Sequence, residues 1–282
     1  MKEGNLLRAV AMSEWSRERV ASEAEAWVWI PPEAVRIETP SYLLSVVPGS
    51  YAYTYLHWFR CDAARADATI DEVLGHVRAH GGTGLRWIVR PSSSPRDLGE
   101  RLRRRGFEQR ETAEVLYVPL GAGSPPQLWR FRTSDGITTR EATTDQEFDE
   151  FQHLAHAVFG DPPLPDEVLR TMRAQFHEIV GKGGHSGRFL SYDGTTPVGR
   201  GGLEVVGAVG RLWGAGVVTE HRGKGAYLAV VAERCRSAQD QGAEIALTMA
   251  RIGTSGPILK RHGFQVAGSQ QTFELPAAAA GK

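Results

Sequence analysis

The chain has 282 residues, and its 33 lysines and arginines balance its 33 aspartates and glutamates. It therefore lacks the summed positive field that drives nonspecific nucleic-acid binding. With 41% hydrophobic and 23% charged residues it lies far from the composition of disordered chains and can bury a core without staples.

No run approaches the roughly 18 apolar residues that span a bilayer, and Glu14, Arg17, Glu18 and Arg19 break the early segment, unlike a secretory signal. The reading is a soluble cytoplasmic protein with no membrane or nucleic-acid partner. Cys61 and Cys235 are the only cysteines, too few for a disulfide framework or a cysteine zinc site, and are expected as reduced thiols.

Along the first third, Tyr51, Tyr53, Tyr55, Trp58 and Phe59 alternate as in a strand with one aromatic face and are read as packing. Arg101, Arg103, Arg104 and Arg105 are read as a solvated helix face. Residues 101–120 (RLRRRGFEQRETAEVLYVPL) and 258–276 (ILKRHGFQVAGSQQTFELP) then repeat one unit of basic helix, Gly-Phe and strand ending at proline. Phe107 to Phe264 and Pro119 to Pro276 both span 157 residues. A period this long marks a duplicated domain rather than a solenoid unit. The expected division is 1–120, a linker at 121–134 around GAGSPPQ, a second domain at 135–276, and a frayed tail at 277–282.

In the second copy, Thr144 and Glu147 have capping-box spacing ahead of an amphipathic helix over about 145–159. Leu169, Met172, Phe176 and Ile179 mark a second helix that Gly181 is placed to end. RFLSYDGTTPVGRGGLEVV and GRLWGAGVV read as an antiparallel meander, with Asp193-Gly194 as its first turn. A helix with Leu228, Val231, Cys235 and Ala238 on one face, closed by Gly242, leads to the buried strand EIALTMA, which implies a parallel crossover. Thr254 or Ser255 caps a last short helix, with Pro257 in its first turn, before the final strand. The order is ααβββαβαβ.

The chemistry points to the strand-to-helix junction VVTEHRGKGAYLAVV, residues 217–231. Gly223 and Gly225 bracket Lys224 there, so that backbone N–H groups at a helix start can cradle an anion, aided by the helix dipole. A Walker loop needs glycine where Val218 stands, and a dinucleotide fingerprint needs glycine where Leu228 stands. Both are disfavoured. Gly214 and Gly216 in the preceding strand suggest an open groove for a ligand.

Glu220-His221-Arg222-Gly223-Lys224-Gly225 resembles the acetyl-CoA loop of the GNAT superfamily of N-acetyltransferases, Gln/Arg-x-x-Gly-x-Gly/Ala, departing only at Glu220. The GPILKRHGF ending is similar to the family's last helix and Gly-Phe. The resemblance covers about 135–276. It implies an α/β fold of two GNAT-like domains, each a mixed, mostly antiparallel sheet flanked by helices. It further implies that Val217, Val218 and Thr219 pair with the pantetheine arm, and that Arg222, Gly223, Lys224, Gly225, Ala226 and Tyr227 hold the pyrophosphate. In the first copy, Arg65, Ala66, Asp67 and Ala68 stand in place of Arg222 to Gly225. Alanine methyls and an acid would exclude phosphates, so the first copy is read as degenerate.

Acetyl transfer to an amine of pKa about 10.4, neutral in roughly one molecule in 2,500 at pH 7, needs a base or water chain. Glu204 in the meander is the candidate base, preferred to Glu220 and His221. The family's usual tyrosine acid is Leu259 here, so Ser255 or Tyr227 is expected to protonate the leaving thiolate, or it departs unassisted. His153 and His156 lie three apart without a completing carboxylate set, so no metal is expected. The resulting reading is an acetyl-CoA-dependent N-acetyltransferase, monomer or homodimer, acting on the primary amine of a small molecule in a ternary complex. The alternatives are a peptide or protein N-acyltransferase and a catalytically silent coenzyme A-binding regulatory module.

Overall fold

A computed structural model describes residues 15–31, 33–48, 54–160, 163–182 and 185–276. They form two compact units. Among the described residues, the amino-terminal unit takes 21–115, 250–256 and 267–276, and the carboxy-terminal unit takes 15–20, 116–249 and 257–266. The units therefore differ from the sequence-contiguous division at 120 and 135. The last strand of the second copy pairs into the sheet of the first, and 121–134 belongs to a compact unit rather than to a free linker. The tail at 277–282 lies outside the described residues.

Helix α1 (Arg17–Ala26) precedes β1 (Val35–Glu38), β2 (Tyr42–Val46), β3 (Tyr55–Phe59), α2 (Ala66–Ala79), β4 (Leu85–Val89), α3 (Leu98–Arg104) and β5 (Glu108–Pro119). In the amino-terminal sheet β1, β2, β3 and β4 lie in sequence order, followed by β11 (Gln265–Leu275) and then β5. β1 with β2, β2 with β3 and β4 with β11 pair antiparallel, and the α2 crossover joins β3 and β4 in parallel. Trp87 anchors the core, 5.1 Å from Phe59 and edge-on to Phe107 at 5.8 Å. Among the aromatic run, Phe59 is buried in this core, while Tyr51 and Tyr53 lie outside the described residues. Arg101 and Arg105 are not a solvated face: Arg101 bonds Asp97 and Asp67, and Arg105 bonds Asp71 and Asp67.

After α4 (Pro126–Trp129) the carboxy-terminal unit runs β6 (Ile137–Glu141), α5 (Asp145–Phe159), α6 (Asp166–Lys182), β7 (Ser186–Asp193), β8 (Thr196–Val206), β9 (Val209–Val217), α7 (Ala226–Asp240), β10 (Ile245–Arg251) and α8 (Ser255–Arg261). The sheet order β6-β7-β8-β9-β10 contains the expected meander, and β9 pairs in parallel with β10. The sequence reading passed over β6, five residues too short for alternation to stand out; it pairs antiparallel with β7. Helix α6 runs through Gly181 instead of ending there, since Gly181 holds no left-handed φ. In α7 the buried face is Val230, Val231, Arg234, Cys235 and Ala238, and Leu228 is only half-buried. Burial pushes the Cys235 thiol up to about 12, which leaves it unreactive.

Helix α5 begins with the capping box that its sequence announces. The Thr144 hydroxyl accepts the Glu147 N–H, and the Glu147 carboxylate accepts the Thr144 N–H at 3.1 Å, the Thr143 N–H at 2.8 Å and Arg140 Nε at 2.7 Å. Burial alone would raise the Glu147 pKa, but these donors carry it from the ordinary 4.5 down to about 2. A depressed carboxyl stabilises the fold above its unfolded pKa, and that contribution is lost as pH falls from about 4.5 toward 2. Glu147→Gln is expected to destabilise the protein by about 1–3 kcal/mol at pH 7. The deficit should shrink in thermal melts below pH 3 or so, where wild-type Glu147 also protonates. A constant deficit across pH 2–7 would contradict the ionic origin.

Among the described residues no helix is long and apolar enough to cross a membrane, and no three metal-ligating side chains gather.

Candidate active site

The site is built where β9 leaves β10. Their parallel pairing covers only Val209–Arg211 against Ile245–Leu247, and the Thr248 hydroxyl then donates to the Leu212 carbonyl at 2.9 Å. Beyond that apex, among the described residues, Trp213–Val217 of β9 has strand pairing on its β8 side alone. On that side the register passes from Gly202↔Trp213 to Arg200↔Gly216, so β9 carries an extra residue, a bulge at Gly214 with φ +57°. Gly214 thus serves the bulge. Gly216 serves packing rather than an open groove, because a methyl there would lie 2.2 Å from Val158 Cγ1 of α5.

Gly202 carries the meander past the same point. A methyl on it would stand 2.1 Å from the Trp213 indole, which lies across this glycine and meets Phe151 edge-on at 5.9 Å. Gly202→Val is expected to expel the indole and lower stability by about 1–3 kcal/mol, the usual penalty of overpacking. An unchanged melting temperature would show that the indole relocates freely.

The strand passes through a 3₁₀ turn, Thr219–His221, into α7. The N–H groups of Gly223, Lys224, Gly225 and Ala226 bond to no acceptor among the described residues, as expected for orphan donors at a helix start. Gly225, at φ +87°, is the N-cap. A methyl on it would lie 2.3 Å from the Arg132 carbonyl oxygen and 2.9 Å from Thr133 Cα, so the 132–134 backbone braces the loop, which Ser134 N–H also ties at Lys224 O.

The other predicted cofactor residues divide. Val218 has both main-chain groups engaged within the chain: its N–H donates to Val198 O and its carbonyl accepts the His221 N–H. The Arg222 N–H bonds Thr219 O, and its Nε donates to Val217 O at 3.2 Å. Lys224 Nζ bonds Asp193 Oδ2 at 2.6 Å, and His221 Nδ1 meets the same oxygen at 2.9 Å. Lys224 and His221 hold the Asp193 carboxyl below its usual range. Sequence reasoning saw Asp193 only as a turn residue and missed its place as the loop's tether. Nor does the sequence flag Arg132 and Thr133, whose contribution is purely main-chain.

Glu204 faces Arg211 across β8 and β9, one row before the apex, where β9 is still paired with β10, with 44% of its side chain exposed and Arg211 Nη1 3.5 Å away. Ser255 falls in the other compact unit, where its hydroxyl accepts the Arg251 N–H at 3.2 Å. Leu259 is buried, so no proton donor stands at that position.

The amino-terminal unit repeats the topology with the cradle closed. Its bulge falls at His57, 157 residues before Gly214, between the pairs Leu44↔Leu56 and Leu43↔Trp58. A side chain thus occupies what glycine leaves bare: Ser45 Oγ lies 2.8 Å from His57 Nε2, and burial, then Arg90, pulls the imidazole down to about 4. At the start of α2, Asp67 already receives Arg101 and Arg105, so this helix end holds an anion of its own.

No family model matches the sequence, and no curated protein matches it significantly. Solved structures do match nearly end to end. A GCN5-related N-acetyltransferase from Kribbella flavida is 14% identical with a TM-score of 0.64, over 94% of this chain and 96% of that one. A GCN5-related N-acetyltransferase from Sphaerobacter thermophilus is 18% identical with a TM-score of 0.63, over 94% and 86%. A tandem GNAT protein from the clavulanic acid biosynthesis pathway is 13% identical with a TM-score of 0.57, over 93% and 89%. The chain has the fold of the tandem GNAT proteins, a mixed, mostly antiparallel α/β architecture used twice.

Proposed function

We propose that the carboxy-terminal unit transfers an acetyl group from acetyl-CoA to the primary amine of a small molecule, and that the amino-terminal unit does not bind the donor. The observation that carries this reading is the set of four N–H groups at Gly223–Ala226 that bond to no acceptor among the described residues, placed beside the one-sided edge of β9. Diphosphate oxygens would satisfy those donors at the positive end of the α7 dipole. The residues present fit the donor: a bare glycine at the loop tip meets nothing within 4 Å, and the splayed strand leaves main chain for an amide-bearing arm. The bound thioester supplies an activated acetyl carbon and a thiolate leaving group. Arg222 would turn from Val217 O toward the diphosphate, and Asp193 keeps Lys224 and the loop in place. Glu204, on the rim beside the apex, takes the proton from the amine.

Calorimetry of the full chain with coenzyme A, together with thiol release from acetyl-CoA across a panel of small amines, tests the reading. One binding site per chain and amine-dependent release are expected. Binding without release on any amine would favour the silent module instead.

A further inference from the structure

Resting on that acyl-transfer reading, we infer that the acceptor amine also carries a carboxylate, which Arg188 receives. Arg188 of β7, Gly202 of β8 and Trp213 of β9 form one row across three strands and share a sheet face. The row ends beside the Gly214 bulge, where β9 leaves β10. Two strand spacings, about 10 Å, separate Arg188 from the bulge. The middle position is glycine, and the Trp213 indole lies across it, so an acceptor linking Arg188 to the bulge would run along the indole.

Arg188 is 8% exposed. Its guanidinium carbon lies 5.7 Å from the Phe148 ring, 5.9 Å from Phe151 and 5.5 Å from Phe176. Its Nε is buried without a hydrogen-bond partner, and no carboxylate bonds it among the described residues. The acids of the α5 helix above it are committed elsewhere: Glu147 to Arg140, Asp145 and Asp149 to Arg173, and Glu150 to the Tyr192 hydroxyl. Arg200 adds a second guanidinium on this face, 3.7 Å over Phe151.

Cation–π attraction offsets only part of the desolvation of a buried guanidinium, and the remainder favours an anion with matching fork geometry. A carboxylate satisfies two N–H groups at once. With its amine at the bulge, the acceptor's carboxylate need span only what remains of that roughly 10 Å once the reach of the arginine is subtracted. Among small amines, those bearing an acid are therefore selected.

The test uses the full chain with coenzyme A present and matched acceptor pairs, each a small amine bearing a single carboxylate and the same amine with that carboxylate converted to its amide. Thiol release and calorimetric binding are measured for wild type, Arg188→Met and Arg188→Lys. Wild type is expected to favour each acid at least about tenfold, and Arg188→Met to raise the KM of the acid roughly 10–100-fold, as loss of a charge-assisted bond implies. The KM of the amide and the Kd of coenzyme A should not move, and the melting temperature of Arg188→Met should hold or rise. Arg188→Lys should restore part of the preference, and it decides the matter if the methionine variant fails to fold. Equal handling of acid and amide by wild type, or a preference that survives in Arg188→Met, overturns the inference while leaving acyl transfer standing. If no amine is turned over, the acyl-transfer reading fails on its own. Calorimetry of the same pairs still decides the anion: tighter binding of the acid supports Arg188 as its receptor, and equal binding rejects it.

Discussion

Replacing Gly225 by valine is expected to weaken coenzyme A binding by at least about 100-fold, equivalent to losing two charge-assisted bonds. Two independent constraints meet at this residue. Its φ of +87° is a conformation in which a β-branched side chain is strained. Its missing side chain also admits the Arg132 carbonyl, which a methyl would meet at 2.3 Å. That neighbour is backbone, tied in through Ser134 N–H to Lys224 O, so relief must come from moving the loop itself. The loop carries the four N–H groups that bond to no acceptor among the described residues, and displacing it spoils their convergence on one ligand. Gly223→Ala is the graded control. That glycine also has a positive φ, +80°, but faces open space, so alanine should bring only the left-handed strain of about 1–2 kcal/mol. Isothermal calorimetry of both variants, with melting curves to show that they fold, makes the comparison. An unchanged Kd in Gly225→Val would remove the cradle from the account.

Glu204→Gln is expected to lower kcat by about 10²–10⁴-fold, the usual contribution of a positioned general base, with the Kd of coenzyme A unchanged. Glutamine keeps the shape and a hydrogen-bond acceptor toward Arg211 and removes the basic site. Because 44% of the Glu204 side chain is exposed, a proton taken from the acceptor has a route to solvent. Variant and wild type are to be compared over pH: the loss should be largest near neutrality and narrow as rising pH deprotonates the amine without help. A variant with wild-type kcat at pH 7 would transfer the proton step to water.

The local grammar of the chain was readable. Thr144 and Glu147 form the capping box that their spacing announced, and the Gly-Phe units end short helices ahead of strands at Phe107 and Phe264. Main-chain consequences were less readable. Gly216 looked like a groove residue and proved to be the seat of Val158, because a glycine in sequence records only that something approaches. Val218 lies inside the motif, yet its N–H and carbonyl are both engaged within the chain. Asp193 and Arg188 carried no signal, since their meaning lies in what stands beside them: Lys224 and His221 for the first, three phenylalanines for the second.

By itself the sequence determined the duplication, the order of most elements and the glycine-bracketed helix start, because these depend on periodicity, capping and φ preferences that act within a few residues. Only the tertiary structure decided which sheet receives each closing strand. The two repeated segments have nearly the same pattern, and sheet pairing is made by main-chain groups that every residue possesses, so nothing local binds β11 to its own copy rather than to β4. The same is true of the opening at β9: strand propensity forms both β9 and β10, but where they part is set by the packing of α5, α7 and the Gly214 bulge around them.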